Sequence, residues 1–216
     1  NPRTAGQLVQ PGNIAAQDLK TWAINSLPYA KAKFGPVAVQ TEIIWTYGQS
    51  KFEDPTAMGL RAAGRPDKID LNQLAMWLDA TADFNKFYVG GTFAYASGDD
   101  PGTADKREGG LANGGLDYQP CLIMFNSDRN YWVGGLNGYA TNAGTNTTNG
   151  GELANAYFAQ LRGGVRPTEK FDVMMSASWA HADKTQAATW EGREYGWEVD
   201  VTGTYKITNN LSYMLG

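Results

Sequence analysis

The sequence predicts an all-β fold: an antiparallel up-and-down transmembrane β-barrel, or a portion of a larger one. Three observations predict it. Apolar and polar residues alternate with period two over long runs. Short and long connections alternate along the chain. Aromatic residues gather near the ends of the runs, as in the two interfacial girdles of such barrels.

The runs follow in order. A first strand is expected from about Leu19 to Phe34, with Pro28 marking a bulge or break. From Val37 to Tyr47, Val37, Val39, Thr41, Ile43, Trp45 and Tyr47 alternate with Ala38, Gln40, Glu42, Ile44, Thr46 and Gly48. Residues 69–83 set Leu74, Met76, Leu78 and Ala80 against Gln73, Trp77, Asp79 and Thr81. Phe87, Val89, Phe93 and Tyr95 oppose Tyr88, Thr92, Ala94 and Ala96. Residues 154–166 alternate more weakly, with Gln160 and Arg162 opposite Tyr157, Ala159 and Leu161. Phe171, Val173, Met175, Ala177 and Trp179 oppose Asp172, Met174, Ser176, Ser178 and Ala180. The clearest run, Tyr195 to Ile207, puts Tyr195, Trp197, Val199, Val201 and Tyr205 on one face, and Glu194, Glu198, Asp200, Thr204 and Lys206 on the other. Successive strand side chains point to opposite faces, so each run has a greasy side and a polar side. About eight strands are visible.

The connections fall into two classes. Phe34-Gly35-Pro36, Asp83-Phe84-Asn85-Lys86, Pro167-Thr168-Glu169-Lys170 and Thr208-Asn209-Asn210 are tight-turn compositions. Residues 52–67, 97–152 and 182–192 are long and polar. In a meander these classes lie at opposite ends of the sheet. That matches short periplasmic turns and long outer loops, with 97–152 as a long extracellular loop region.

Composition excludes several functions. The chain has 216 residues, 12% aromatics, 19% charged residues and a net charge of -4. No basic cluster is present to neutralise phosphates, so no nucleic-acid partner is expected. One cysteine, Cys121, and one histidine, His181, leave little for disulfides, triads or thiolate metal sites. No apolar run approaches the roughly 18 residues of a membrane helix. No enzyme activity is expected. The start has no signal-like segment and the end falls inside a strand. The whole of 1–216 therefore reads as an outer-membrane barrel incomplete at both ends.

The expected pore-lining residues are Gln40, Glu42, Asp79, Gln160, Arg162, Glu198, Asp200 and Lys206, all on polar faces. Charges facing a water-filled bore set ion preference. Glu198 and Asp200 share a face, with Arg162 and Lys206 able to balance them. A salt-bridge ladder that stiffens the wall is the alternative role. The loop Ser97–Glu108 carries Asp99, Asp100, Asp105 and Glu108. Asp99, Asp100 and Asp105 are candidate calcium ligands, since calcium takes several oxygen ligands, although the spacing is not an EF-hand. A solvated acidic loop is the plain alternative, and no other cofactor is expected. A paired-carboxylate hydrolase reading of Asp99, Asp100 and Glu108 lacks rigid support. Asn146-Thr147-Thr148 fits a glycosylation sequon and reads as loop composition. The apolar segment Tyr118–Phe125 allows an inward constriction, another strand or a buried loop core.

The run Gly196-Trp197-Glu198-Val199-Asp200-Val201-Thr202-Gly203-Thr204-Tyr205-Lys206-Ile207-Thr208-Asn209-Asn210-Leu211-Ser212 resembles the late strand, turn and strand of the alginate-export-like outer-membrane porin family. The loop Ala96-Ser97-Gly98-Asp99-Asp100-Pro101-Gly102-Thr103 resembles a family loop after an aromatic strand. The resemblance covers about the last quarter of the chain and is looser elsewhere. It implies a large monomeric barrel passing anionic sugar polymers or small solutes. The mixed charges of the expected lumen depart from the basic channel that such a polymer needs.

The expected function is thus a porin-like channel for hydrophilic solutes, including anionic saccharides, in the cell outer membrane of a Gram-negative bacterium. Its partners would be the lipid bilayer, the solute and other outer-membrane proteins. Two rivals stand beside it. One is a soluble carbohydrate-binding β-sandwich, and the other an outer-membrane scaffold or adhesin with a plugged lumen.

Overall fold

The computed structural model describes residues 19–52, 66–110, 118–126, 153–185 and 192–216. The Asn146–Thr148 sequon and large stretches of the three long connections lie outside them.

The described residues form one sheet with ten strands. They are β1 (Leu19–Ser26), β2 (Tyr29–Phe34), β3 (Val37–Phe52), β4 (Lys68–Asp83), β5 (Phe87–Ala96), β6 (Lys106–Arg107), β7 (Ala156–Thr168), β8 (Phe171–Ala182), β9 (Glu194–Thr208) and β10 (Leu211–Leu215). The main path runs β1-β3-β4-β5-β7-β8-β9-β10. Every pairing is antiparallel except that of two-residue β6, which lies parallel to β4. Among the described residues β1 and β10 do not pair with each other, so the sheet is not closed.

The expected strands are all present. β1 and β2 continue one line along β3, from Ser26 opposite Trp45 to Tyr29 opposite Glu42. The residue numbers of each pair sum to 71 on both sides, so Pro28 breaks the ladder without a bulge. Its ring removes an N–H, yet its carbonyl still accepts the Ile43 amide at 3.0 Å. β3 continues past Tyr47 to Phe52. The short turns fall where the composition placed them, with Gly35 at φ 58° and Asn85 at φ 71°. The Asp83 carboxylate accepts the Asn85 amide at 2.8 Å, an Asx turn. Interior strands β3, β4, β5, β7, β8 and β9 have 16, 16, 10, 13, 12 and 15 residues. Each reaches the roughly 9–11 that a tilted strand needs to cross a bilayer.

One face of this sheet leaves large apolar side chains uncovered, while the covered face is polar along its middle and apolar toward the long connections, where Ala94, Phe158 and Ala180 are fully buried against Phe125. Trp197 is 77% exposed, Leu161 72% and Val199 64%, whereas Ser178 is 0%, Gln160 6% and Asp200 7% exposed. Cross-strand register puts the first three on one face and the last three on the other. No second sheet of described residues covers the apolar face. On β3 and β4 that face changes character near one end. Above Trp45 and Tyr47 come Gln49, Asp70 and Asn72, with Gln49 donating to Asp70 at 3.2 Å.

Tyr195 corrects the sequence reading, which expects it beside Trp197 on the apolar face. A register shift at Ala180/His181 and Gly196 at φ 120° reverse the alternation there. Tyr195 instead turns to the polar face, where its ring meets Phe125 edge-on at 5.8 Å. Glu194 takes the apolar side and accepts the Trp179 indole N–H at 3.1 Å. A bulge inserts one extra residue and so flips every side chain beyond it.

No helix among the described residues is long and apolar enough to cross a membrane.

Candidate functional site

The site lies on the polar face, beneath the inward-folded segment 118–126. Two clusters of side chains build it.

The first cluster centres on Arg162 of β7. Register brings Gln160 opposite Thr92, and Thr92 opposite Asp79. A long side chain at Arg162 therefore reaches over β5 to β4. Its guanidinium lies 2.7 Å from the Asp79 carboxylate, and both side chains are largely buried. It also donates to the hydroxyls of Thr92 and Thr81, each at 2.6 Å. Thr92 donates its own hydroxyl to Asp79 at 2.6 Å. Gln40 sits opposite Asp79 and accepts the Tyr29 hydroxyl at 3.3 Å. Glu42 sits opposite Trp77.

The second cluster seats the segment. The Glu198 carboxylate accepts the backbone amides of Ile123 and Met124, each at 2.6 Å. Asp200 accepts the Leu122 amide at 3.3 Å. Gln160 donates to the Pro120 carbonyl at 2.7 Å and to Ser178 at 3.0 Å. The Cys121 thiol donates to the Ser178 hydroxyl at 3.2 Å. Phe125 is fully buried, with its ring edge-on to Phe158 at 5.7 Å. Segment 118–126 is thus a bent loop core and forms no strand. Asn126 closes it by donating to the Cys121 carbonyl at 3.0 Å.

A third network lies at the short-turn end. Arg166 holds Asp83 at 3.0 Å and Asp172 at 3.1 Å. Its guanidinium stacks 4.5 Å over the Tyr88 ring. Tyr88 in turn lies across Gly164, where a Cβ would strike the ring.

All eight expected lining residues share this face, but they do not pair as expected. Arg162 balances Asp79, not Glu198 and Asp200. The latter two are satisfied by backbone amides, which carry partial positive charge where several point one way. Lys206 stands apart, exposed at the short-turn end opposite Ser212. Sequence reasoning missed Ser178 and Thr92 as partners, because small hydroxyl residues carry no signal until register places them. It also missed Asp183, which accepts Tyr95, Tyr157 and the Gly98 amide. Three buried polar atoms, Trp77 Nε1, Tyr118 Oη and Ser176 Oγ, have no hydrogen-bond partner among the described residues.

Cys121, Glu198 and Asp200 bring one ligand atom each within 4.8 Å of one another. Burial pushes the Cys121 thiol up to about 12, so it stays protonated at neutral pH. The thiol donates to Ser178, and both carboxylates accept backbone amides of segment 118–126. The trio is a hydrogen-bonded seat.

The candidate calcium ligands sit elsewhere. Asp99 accepts the Glu108 amide at 2.7 Å, and Asp100 accepts the Gly102 amide at 2.8 Å. Asp105 contributes its backbone carbonyl to the Asp70 amide at 2.8 Å. Burial raises the Asp99 pKa, with the Glu108 and Gly109 amides opposing the shift. Among the described residues these three carboxylates do not gather into one ligand set.

A scan of protein-family models and a search of curated proteins each found no match to this chain.

Proposed function

We propose that the chain forms the wall of an outer-membrane β-barrel whose polar face lines an aqueous passage narrowed by segment 118–126. The uncovered apolar face carries this reading. Apolar side chains such as Trp197 and Leu161 stand exposed on one face while Ser178, Gln160 and Asp200 are covered on the other. Hydrocarbon is the solvent that such an apolar face fits, and the interior strands are paired on both sides along most of their length, as lipid requires.

The passage would admit small hydrophilic solutes, including charged saccharides. Selection would come from the width left beside segment 118–126 and from local fields. Arg162 is neutralised by Asp79, and Lys31, Lys33 and Lys206 stand toward the short-turn end, so the face is acidic locally, at Glu198 and Asp200 beside segment 118–126. That favours cations and neutral sugars over a polyanion. The likeness to alginate-export-like porins thus extends to the barrel wall more readily than to an anionic cargo. On this reading the wall catalyses no reaction.

A plugged scaffold is the second reading, favoured by how closely segment 118–126 seats on the polar face. Conductance across a planar bilayer separates the two. Steps in current with cation preference are expected; a detergent-dependent protein that never conducts is the scaffold. A monodisperse particle without detergent would end both.

A further inference from the structure

We infer that a groove at the border of the apolar face binds one membrane amphiphile with a zwitterionic headgroup, a phosphate ester bearing a primary amine. The inference rests on the membrane reading above.

The groove encloses about 620 Å³. Its lower half is apolar and belongs to the exposed face, with Ile43, Trp45 and Leu74. Its upper half is polar and comes from the connections, with Glu108, Asp183 and Lys184. The division falls where the outer face of β3 and β4 turns from Trp45 to Gln49, Asp70 and Asn72. A molecule filling both halves must itself be greasy at one end and polar at the other.

The charges fix the kind of headgroup. The Asp183 carboxylate is already engaged by two tyrosine hydroxyls and the Gly98 amide. Asp183 keeps its negative charge, so the groove carries two carboxylates and one ammonium; with the Asp183 oxygens taken, Glu108 and Lys184 are the charged groups left to meet a ligand. They line the same groove, yet no ion pair joins them, and the Lys184 ammonium has no ion-pair partner among the described residues. Glu108 holds one hydroxyl, that of Thr103, at 3.2 Å. A separated cation and anion complement a phosphate and an amine on one headgroup. The Lys184 backbone is fixed by Asn155, whose carboxamide accepts its amide at 2.8 Å and donates to its carbonyl at 2.8 Å. The ammonium is therefore carried on a rigid base. Trp45 is steadied by donating to Asn72 at 3.0 Å, which leaves its ring face for the acyl stem.

Native mass spectrometry of the full chain in dodecyl maltoside tests this. The probes are phosphatidylethanolamine, phosphatidylglycerol and diacylglycerol with identical chains. Phosphatidylethanolamine is expected to be retained about fivefold over phosphatidylglycerol, and both over diacylglycerol. Glu108→Gln should erase the preference for the amine while keeping the phosphate. Lys184→Glu should lose both. Leu74→Trp should fill the groove and lose the adduct with the charges intact, its fold checked by circular dichroism. Equal retention of all three lipids, or preferences unchanged in the charge variants, overturns the inference. A chain that is monodisperse without detergent sinks the membrane reading itself; detergent dependence without selective retention sinks this site alone.

Discussion

Arg162 on β7 grips Asp79 on β4 across the whole width of β5, nitrogen to oxygen at 2.7 Å. Removing either partner strands the other charge in a poorly solvated place. Arg162→Met or Asp79→Asn should each cost about 2–3 kcal/mol in equilibrium unfolding followed by tryptophan fluorescence. The double variant should lose clearly less than the sum, because no lone charge is left. Additive losses would mean that the pair is not coupled.

Glu198→Ala takes away the acceptor of two consecutive amides. Each unsatisfied amide costs about 1–3 kcal/mol, so the displaced state of segment 118–126 should gain about tenfold or more in population. Larger single-channel conductance checks this in the bilayer. Unchanged conductance would mean that the segment does not narrow the passage.

Cys121 is the chain's one cysteine, so thiol labelling reads it alone. Its folded pKa of about 12 lies above the ordinary 9.0. The thiolate fraction at pH 8 therefore falls about a thousandfold, and alkylation by iodoacetamide slows accordingly. The sign for stability follows. The contribution of the neutral thiol is intact below pH 9 and is lost as pH rises toward 12. Rapid labelling of the folded chain at pH 8 would contradict the seat described for segment 118–126. Glu198→Ala should speed the labelling.

Leu161 stands 72% exposed on the apolar face. In a bilayer, Leu161→Arg should destabilise the chain by about 2–4 kcal/mol if the site lies near the midplane. On a water-facing surface the same change would fall within about 0.5 kcal/mol. Unfolding measured from lipid vesicles decides between the two.

Gly196 holds φ 120°, and nothing lies within 4 Å of where a Cβ would be. Any cost of Gly196→Ala is therefore conformational, about 1–3 kcal/mol. Loss of the bulge would swing Tyr195 away from Phe125, visible as a weaker near-ultraviolet circular dichroism signal. An unchanged spectrum with unchanged stability would remove the bulge as the cause of that turn.

Alternation made the strands legible because period two is written in every residue of Val37–Tyr47 or Trp197–Ile207. Tyr195 broke the pattern because one glycine with positive φ leaves no periodic trace. Pro28 was legible as an interruption, but its lack of any register slip emerges only once both halves pair with β3. Arg162 and Asp79 are remote in sequence, so their meeting depends on the registers of two intervening ladders. The fate of Tyr118–Phe125 could not be read locally, since its apolar run suits a strand, a plug or a core. The carboxylates that seat it lie on a distant strand.

The amides of Leu122, Ile123 and Met124 meet Asp200 and then Glu198 in sequence along β9. Fastenings arranged in series release singly, like the teeth of a zip. Each tooth costs about 1.5–3 kcal/mol, so lifting the segment proceeds through half-undone stages. A passage throttled this way would show several discrete current sublevels in place of one abrupt on–off transition.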